Sequence, residues 1–303
     1  MRLEVWAPDG MPEVRAGDDL ASLVLAALDG WEDLRDGDVV SVTSKVVSKA
    51  EGRTRAGDRE AAIDEESVRV VARRGATRIV RHRLGLTMAA AGVDASNVAV
   101  GSLVLLPLDP DHSARALRRE VHRRTGTNVA VLVTDTSGRA WREGQTDIAI
   151  GAAGLVVAED FAGRTDPHGN ALVVTLPAVA DELAGAAELV QGKLGGRPVA
   201  VLRGRADLVL PPGEDGAGAR SLVRPEGGDL FGWGAREAVV RALAGDEADR
   251  APFGAPAPAA ELAAALDRLP DRADPTATAA VCFAHGWRPE DWPGDRAEDV
   301  DDC

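Results

Sequence analysis

Apolar and polar positions switch along the chain between short unbroken apolar runs and longer stretches with helical spacing. Residues 38–42 read as a brief strand built on Val39, Val40 and Val42, ending at Thr43-Ser44. Residues 129–134 are almost continuously apolar, the pattern of a strand covered on both faces. That run stops at Asp135-Thr136-Ser137-Gly138, where turn formers meet a carboxylate. Residues 172–175 and 198–204 read as two further strands, and 78–80 as a brief one. Helical spacing places Ala180, Leu183, Ala184, Ala187 and Val190 on one face of a helix over 179–194. Residues 68–74 also suit a helix, and a short amphipathic helix is expected over 259–269.

This alternation predicts a mixed α+β fold, with mixed sheets flanked by helices. No Gly-x-Gly-x-x-Gly follows the first strand and there is no Walker A sequence, so neither a Rossmann nor a P-loop fold is expected. Residues 1–245 carry the alternation and read as one domain. Residues 246–303 read as a Pro/Ala-rich linker, around 251–258, followed by an acidic tail.

Bulk properties narrow the class. At 303 residues with 45% hydrophobic content, the chain has material for a sizeable core. Its longest apolar stretches, such as 98–108, fall short of the roughly 20 residues a membrane span needs. The opening Met1-Arg2-Leu3-Glu4-Val5-Trp6 lacks the apolar centre of a signal peptide. Two cysteines, Cys282 and Cys303, are too few for a disulfide framework, so the cytoplasm is the expected compartment. A net charge of −14 argues against a nucleic-acid partner, which requires a basic face. Much of the acidic excess lies after residue 270 and reads as solvated surface ahead of a docking tail. Cys282 and His285 have a spacing open to two metal ligands, but no second pair accompanies them; packing is the simpler role for Trp287 and Trp292.

One bias singles out a segment. The chain has 35 Lys and Arg, of which only Lys45, Lys49 and Lys193 are lysines. An ammonium is a compact point charge where a guanidinium is a broad planar fork, so a lysine pair in an arginine-rich chain points to a need for ammonium. Lys45 and Lys49 are four apart within Thr43-Ser44-Lys45-Val46-Val47-Ser48-Lys49 and share a face. Among hydroxyls and loop amides they form either a triphosphate cradle or a basic edge. Asp135, at the end of the strongest strand, suits a hard divalent cation or the capping of a following turn. Asp181 and Glu182, early in a predicted helix, are open to metal ligation or to stabilisation by the helix dipole. The stretch Gly144-Gln145-Thr146-Asp147 holds more polarity than a connector requires.

In order along the chain, several segments resemble signatures of the F420-0:γ-glutamyl ligases. They are Thr43-Ser44-Lys45-Val46-Val47-Ser48-Lys49-Ala50-Glu51-Gly52, Ala91-Gly92-Val93-Asp94-Ala95-Ser96-Asn97-Val98 and Thr134-Asp135-Thr136-Ser137-Gly138-Arg139. The likeness continues through Gly144-Gln145-Thr146-Asp147, Ala180-Asp181-Glu182-Leu183, Gly192-Lys193 and Val223-Arg224-Pro225 with Asp229-Leu230-Phe231, covering about residues 3–243. The resemblance implies the family's own α+β fold and a homodimeric, GTP-dependent ligase that adds L-glutamate to coenzyme F420-0 through an acyl phosphate. It implies Mg²⁺ or Mn²⁺, helped by K⁺. Carried over by motif, Met11, Pro12, Glu13, Val14, Ser44, Lys49 and Gly138 would contact the nucleotide, with Lys45, Lys49 and Asp135 as the catalytic set. The metal would sit on Asp135 and near Thr175. Relatives often carry an acid where this chain has Leu176, which leaves Asp181 or Glu182 to supply the second ligand. Two other classes fit the same polar loops: a glutamate-adding ligase acting on another acceptor, and a non-catalytic binder of nucleotide or deazaflavin.

Overall fold

A computed structural model describes residues 2–28, 34–96, 98–225, 227–270 and 274–291. The fold is mixed α+β, and the chain groups into two compact units. Met1–Val68 with Val80–Val223 forms the first, and Arg69–Ile79 with Arg224–Cys303 the second.

The first unit is organised by a five-stranded sheet in the order β1-β10-β2-β8-β9. Its strands are β1 (Glu4–Trp6), β2 (Val39–Thr43), β8 (Ala130–Gly138), β9 (Gln145–Ala153) and β10 (Val199–Arg203). Only β2 and β8 run parallel; β1, β10 and β9 are antiparallel to their neighbours. Because side chains alternate across a strand, each central strand feeds two cores. Val40, Val42, Val131, Val133, Val199 and Val201 pack on one face with helices α1 (Leu20–Leu28) and α4 (Pro110–Thr125). Val39, Ala130, Leu132, Ala200 and Leu202 pack on the other with α5 (Val179–Gln191). Each of these sheet residues is at most 1% exposed, which explains why the sequence shows apolar runs in place of alternation.

Two smaller sheets complete the β structure. β3 (Thr54–Ala56) pairs antiparallel with β7 (Ser102–Val104). β4 (Ser67–Arg74), β5 (Thr77–His82) and β6 (Thr87–Ala89) form the other. Helix α2 (Ser44–Ala50) precedes β3, and α3 (Arg59–Glu66) lies between β3 and β4 in the chain. At the end of α3, Glu66 accepts from Arg53 at 2.8 Å and Arg83 at 2.6 Å, with His82 Nε2 3.2 Å away. The amide of Leu84 donates to His82 Nδ1, so Nε2 carries the ring proton and donates to Glu66. Burial, the largest influence, holds His82 below its ordinary pKa and therefore neutral.

The second unit contains α6 (Ala235–Ala244), α7 (Ala259–Leu266) and α8 (Pro275–Ala284). The Trp233 ring lies between the guanidinium groups of Arg69 and Arg241, each 4.7 Å from its centroid. Cys282 is fully buried with Leu262 and Leu266, and Trp287 joins them while donating to the Ala257 carbonyl at 2.7 Å. The His285 ring bonds to the Val281 carbonyl at 2.7 Å, so Cys282 and His285 serve packing and helix termination. Trp292 and Cys303 lie outside the described residues.

Three expectations about local structure are corrected. Residues 68–74 are strand β4, because β-branched Val68, Val70 and Val71 favour extended backbone and Gly75, at φ 57°, closes a two-residue turn into β5. Residues 172–175 form no strand: their carbonyls at Leu172 and Thr175 accept from Gly163 and Phe161, but Val173 and Val174 stay exposed with no core to face. The run from 129 does not end at Asp135, since β8 continues to Gly138, held by β9 up to the Gly138–Gln145 pair.

The packing of α4 on β9 depends on Gly151. A Cβ there would lie 2.4 Å from the Pro110 carbonyl oxygen, in backbone that cannot swing aside. We expect Gly151→Ala to destabilise the fold by about 2 kcal/mol or more, read as a lowered midpoint in urea unfolding.

Candidate active site

A cleft of about 700 Å³ opens where β2 ends beside β8, and all of its lining belongs to the first unit. The carboxyl ends of parallel strands are where open α/β sheets leave room for ligands. Parallel register sets Thr43 opposite Thr134, and α2 starts at the next residue with no intervening loop. Ser44 therefore lands beside Asp135, and its hydroxyl donates to Asp135 Oδ1 at 2.8 Å.

Asp135 sits half-buried on this floor, its carboxyl pushed up to about 6. Burial is the main cause and the negative charges of Asp147 and Asp94 act in the same direction, against hydrogen bonds from Ser44 and the Thr136 amide. A carboxylate that its surroundings make costly to ionise is a place where positive charge is welcome.

The helical spacing of Lys45 and Lys49 turns both toward the cleft, while Val46 and Val47 anchor α2 in the core. Lys45 Nζ lies 2.5 Å from Asp94 Oδ2 and donates to Ser96 Oγ at 2.8 Å. Burial pushes the Asp94 carboxyl up, yet hydrogen bonds from Lys45 and Ser96 outweigh it and hold the group below its ordinary value. Lys49 Nζ, 9% exposed, reaches Glu13 Oε1 at 2.6 Å, while the Glu13 side chain is 68% exposed.

A second wall comes from β9 and the end of α5. Asp147, opposite Thr136 in the β8–β9 ladder, is 3% exposed and its Oδ1 has no hydrogen-bond partner. Burial raises its carboxyl, with the Thr136 and Thr134 hydroxyls and the Lys193 charge opposing. Glu188 on α5 is raised by burial and by Asp147. Lys193 follows the helix, so every lysine of the chain lines this one cleft.

The structure brings together Met11, Pro12, Glu13, Val14, Ser44, Lys45, Lys49, Asp135 and Gly138. It places Thr175, Asp181 and Glu182 outside the cleft lining. Thr175 and Glu182 are exposed, and Asp181 Oδ1 accepts the Ala149 amide at 2.9 Å. The α5 wall, with Asp147, Glu188, Gln191 and Lys193, is what sequence reasoning left without a role. One signal for it was present, because the same scarcity that marked Lys45 and Lys49 applies to Lys193. Among the described residues no group of three or more His, Cys, Asp or Glu is arranged to hold a metal. A cation at Asp135 would therefore draw on hydroxyls, water and ligand oxygens as well, a donor set that suits Mg²⁺ or Mn²⁺.

The family model described as F420-0:Gamma-glutamyl ligase matches residues 10–62 and 58–204, a span that contains both walls of the cleft up to Pro198. The coenzyme F420:L-glutamate ligase of Archaeoglobus fulgidus is 40% identical over 225 residues, 67% of this chain and 88% of that protein. The protein of the same name from Methanothermobacter thermautotrophicus is 38% identical over 257 residues, 76% of this chain and 99% of its own length. That from Haloarcula marismortui is 41% identical over 232 residues, covering 66% and 87% respectively. The chain belongs to the F420-0:gamma-glutamyl ligase family.

Proposed function

We propose that this protein is a ligase that joins L-glutamate to coenzyme F420-0 at the expense of GTP, with Mg²⁺ or Mn²⁺ at Asp135. The observation that carries the reading is the convergence of all three lysines and a half-buried, charge-strained carboxylate on one cleft in a chain of this family. An amide cannot form directly from a carboxylate, whose oxygen is a poor leaving group. Phosphorylation removes the obstacle. The lactyl carboxylate of F420-0 attacks the γ-phosphorus of GTP, an O–P bond forms, and GDP departs. The α-amine of glutamate then attacks the acyl carbon, and phosphate leaves with the electron pair of the C–O bond.

The chain's residues serve this chemistry by positioning and charge. Lys45 and Lys49 present two fixed ammonium groups on one turn of α2, so an anionic acceptor and a triphosphate can approach each other. Before nucleotide arrives, Asp94 and Glu13 neutralise them. Glu13 is the more exposed of the two acids and the one a phosphate displaces with less rearrangement. Ser44 orients the Asp135 carboxylate through their hydrogen bond. A divalent cation held there would neutralise charge on the phosphoryl oxygens.

The direct test is to incubate the protein with F420-0, glutamate, GTP and Mn²⁺ and follow products by mass spectrometry. A ladder rising by one glutamyl unit per step, with GDP released in proportion, is expected; GDP release independent of glutamate would defeat the reading. Asp135→Asn should lower turnover on the order of 100-fold or more. Its thermal midpoint should not fall, because it removes a charge that the fold destabilises. The sign follows from the carboxyl's shift from 3.8 to about 6: the folded chain binds this proton more tightly than the unfolded one, so the cation-free protein loses stability as pH rises through that window. Proton and cation compete for the same carboxylate. Titration calorimetry should therefore show Mn²⁺ affinity weakening by about tenfold per pH unit below pH 6, and a flat profile would remove Asp135 from the metal site.

A further inference from the structure

The α5 wall holds polar groups for which nucleotide binding has no use. Lys193 lines the cleft just beyond the helix, and among the described residues it makes no hydrogen bond or salt bridge, unlike Lys45 and Lys49. Its charge bears on both Asp147 and Glu188. Beside them Gln191 is 1% exposed, with neither its Nε2 nor its Oε1 bonded to anything. Asp147 Oδ1 likewise has no hydrogen-bond partner. Buried polar atoms are nearly always satisfied, so a cluster of unsatisfied ones along a cleft marks a place where a ligand supplies the missing partners.

The charges say which kind. A polyphosphate does not belong here, because the carboxylates of Asp147 and Glu188 would repel it. A zwitterion does. One free ammonium matches a carboxylate, two carboxylates match an amino group, and a carboxamide both donates and accepts.

We propose that the end of α5 is the amino-acid subsite, where Lys193 takes a carboxylate of the incoming glutamate, Glu188 and Asp147 receive its α-amino group, and Gln191 bonds to its polar atoms. The assignment rests on the ligase reading above and divides the cleft by charge. Triphosphate lies on the α2 side against Lys45 and Lys49, and the nucleophile enters from the α5 side. The two substrates then meet at the strand ends, near Asp135.

Steady-state kinetics of the full chain, with F420-0, GTP and Mn²⁺ present, separate the possibilities. Lys193→Ala is expected to raise the glutamate KM by about tenfold or more, the size of a lost charge-assisted bond, while the GTP KM changes by less than about twofold on the same scale. Lys193→Arg should recover part of the loss, and Glu188→Gln should also raise the glutamate KM. Lys193 is exposed, so the substitution should leave the thermal midpoint in place. Calorimetric titration with glutamate alone should show the same weakening without turnover. An unchanged glutamate KM in Lys193→Ala, or a GTP KM that rises equally, overturns the subsite while the ligase reading stands. Wild-type protein that consumes no glutamate overturns both.

Discussion

The parallel pairing of β2 with β8 is the constraint from which the site follows. Antiparallel neighbours run toward opposite edges of a sheet, whereas this pair runs toward one edge, where β2 ends with Thr43 beside Thr134 and β8 continues to Gly138. The residues that follow are thereby forced together: Ser44 opens α2 next to Asp135, and the lysines one and five positions later overhang the same floor. Sliding β2 by one residue would reverse which of its side chains face each core, and it would carry Ser44 away from the carboxylate. Burial of Val39, Val40, Val42, Val131, Leu132 and Val133 fixes that register. The hydrophobic core thus sets the site geometry to within a residue.

Electrostatics then explain why lysine is confined to this place. The chain is strongly acidic and meets most of its need for positive charge with arginine, whose several donors allow it to satisfy many acceptors at once. Arg118 shows the use. Its buried guanidinium binds the carbonyls of Val129, Glu214, Leu210 and Pro211 and the amide oxygen of Asn128, tying the residues after β10 to α4. Such a fork is committed to its partners. The ammonium groups of Lys45 and Lys49 each meet an acid, and Glu13, the acid that meets Lys49, lies mostly in solvent.

The β2 and β8 strands, the α5 helix and the α2 side of the cleft were legible in the sequence because each is a contiguous block. Lys45 and Lys49 announce themselves by spacing and scarcity, and Asp135 by ending an apolar run. What was not legible is what distant segments make jointly. Asp147 and Glu188 look unremarkable in sequence, one in a polar hairpin and one on a helix. They become a wall only because β9 folds back on β8 and α5 covers the sheet's second face. Residues 68–74 were misread because three valines among arginines fit a helical face nearly as well as a strand, and the deciding feature was the glycine turn behind them. Thr175 and Leu176 belong to an exposed segment with no sheet to join, so no local pattern fixes what they approach.

Backbone strain at the site supports the same division of labour. Ala90, Ala91 and Gly92 have φ of 53°, 52° and 65°, a left-handed run in which each alanine costs roughly 1–2 kcal/mol. A β-branched residue would cost more, and a Cβ on Gly92 would come within 2.8 Å of the Leu106 side chain, which accounts for the run of small residues. Such conformations persist only when their surroundings over-determine them. Here the fully buried Ala91 is held in the core of Ile63, Val80 and Leu105. The turn delivers Asp94 onto Lys45, with the Ser96 amide and hydroxyl bonded to the same carboxylate. An aspartate supported in this way keeps its charge despite burial. It therefore fixes the position of the Lys45 ammonium, whereas Glu13, which meets Lys49, lies largely in solvent. The two lysines are thereby held differently, one by a buttressed aspartate and one beside a solvent-exposed glutamate, and the left-handed turn is the structural cost of that difference.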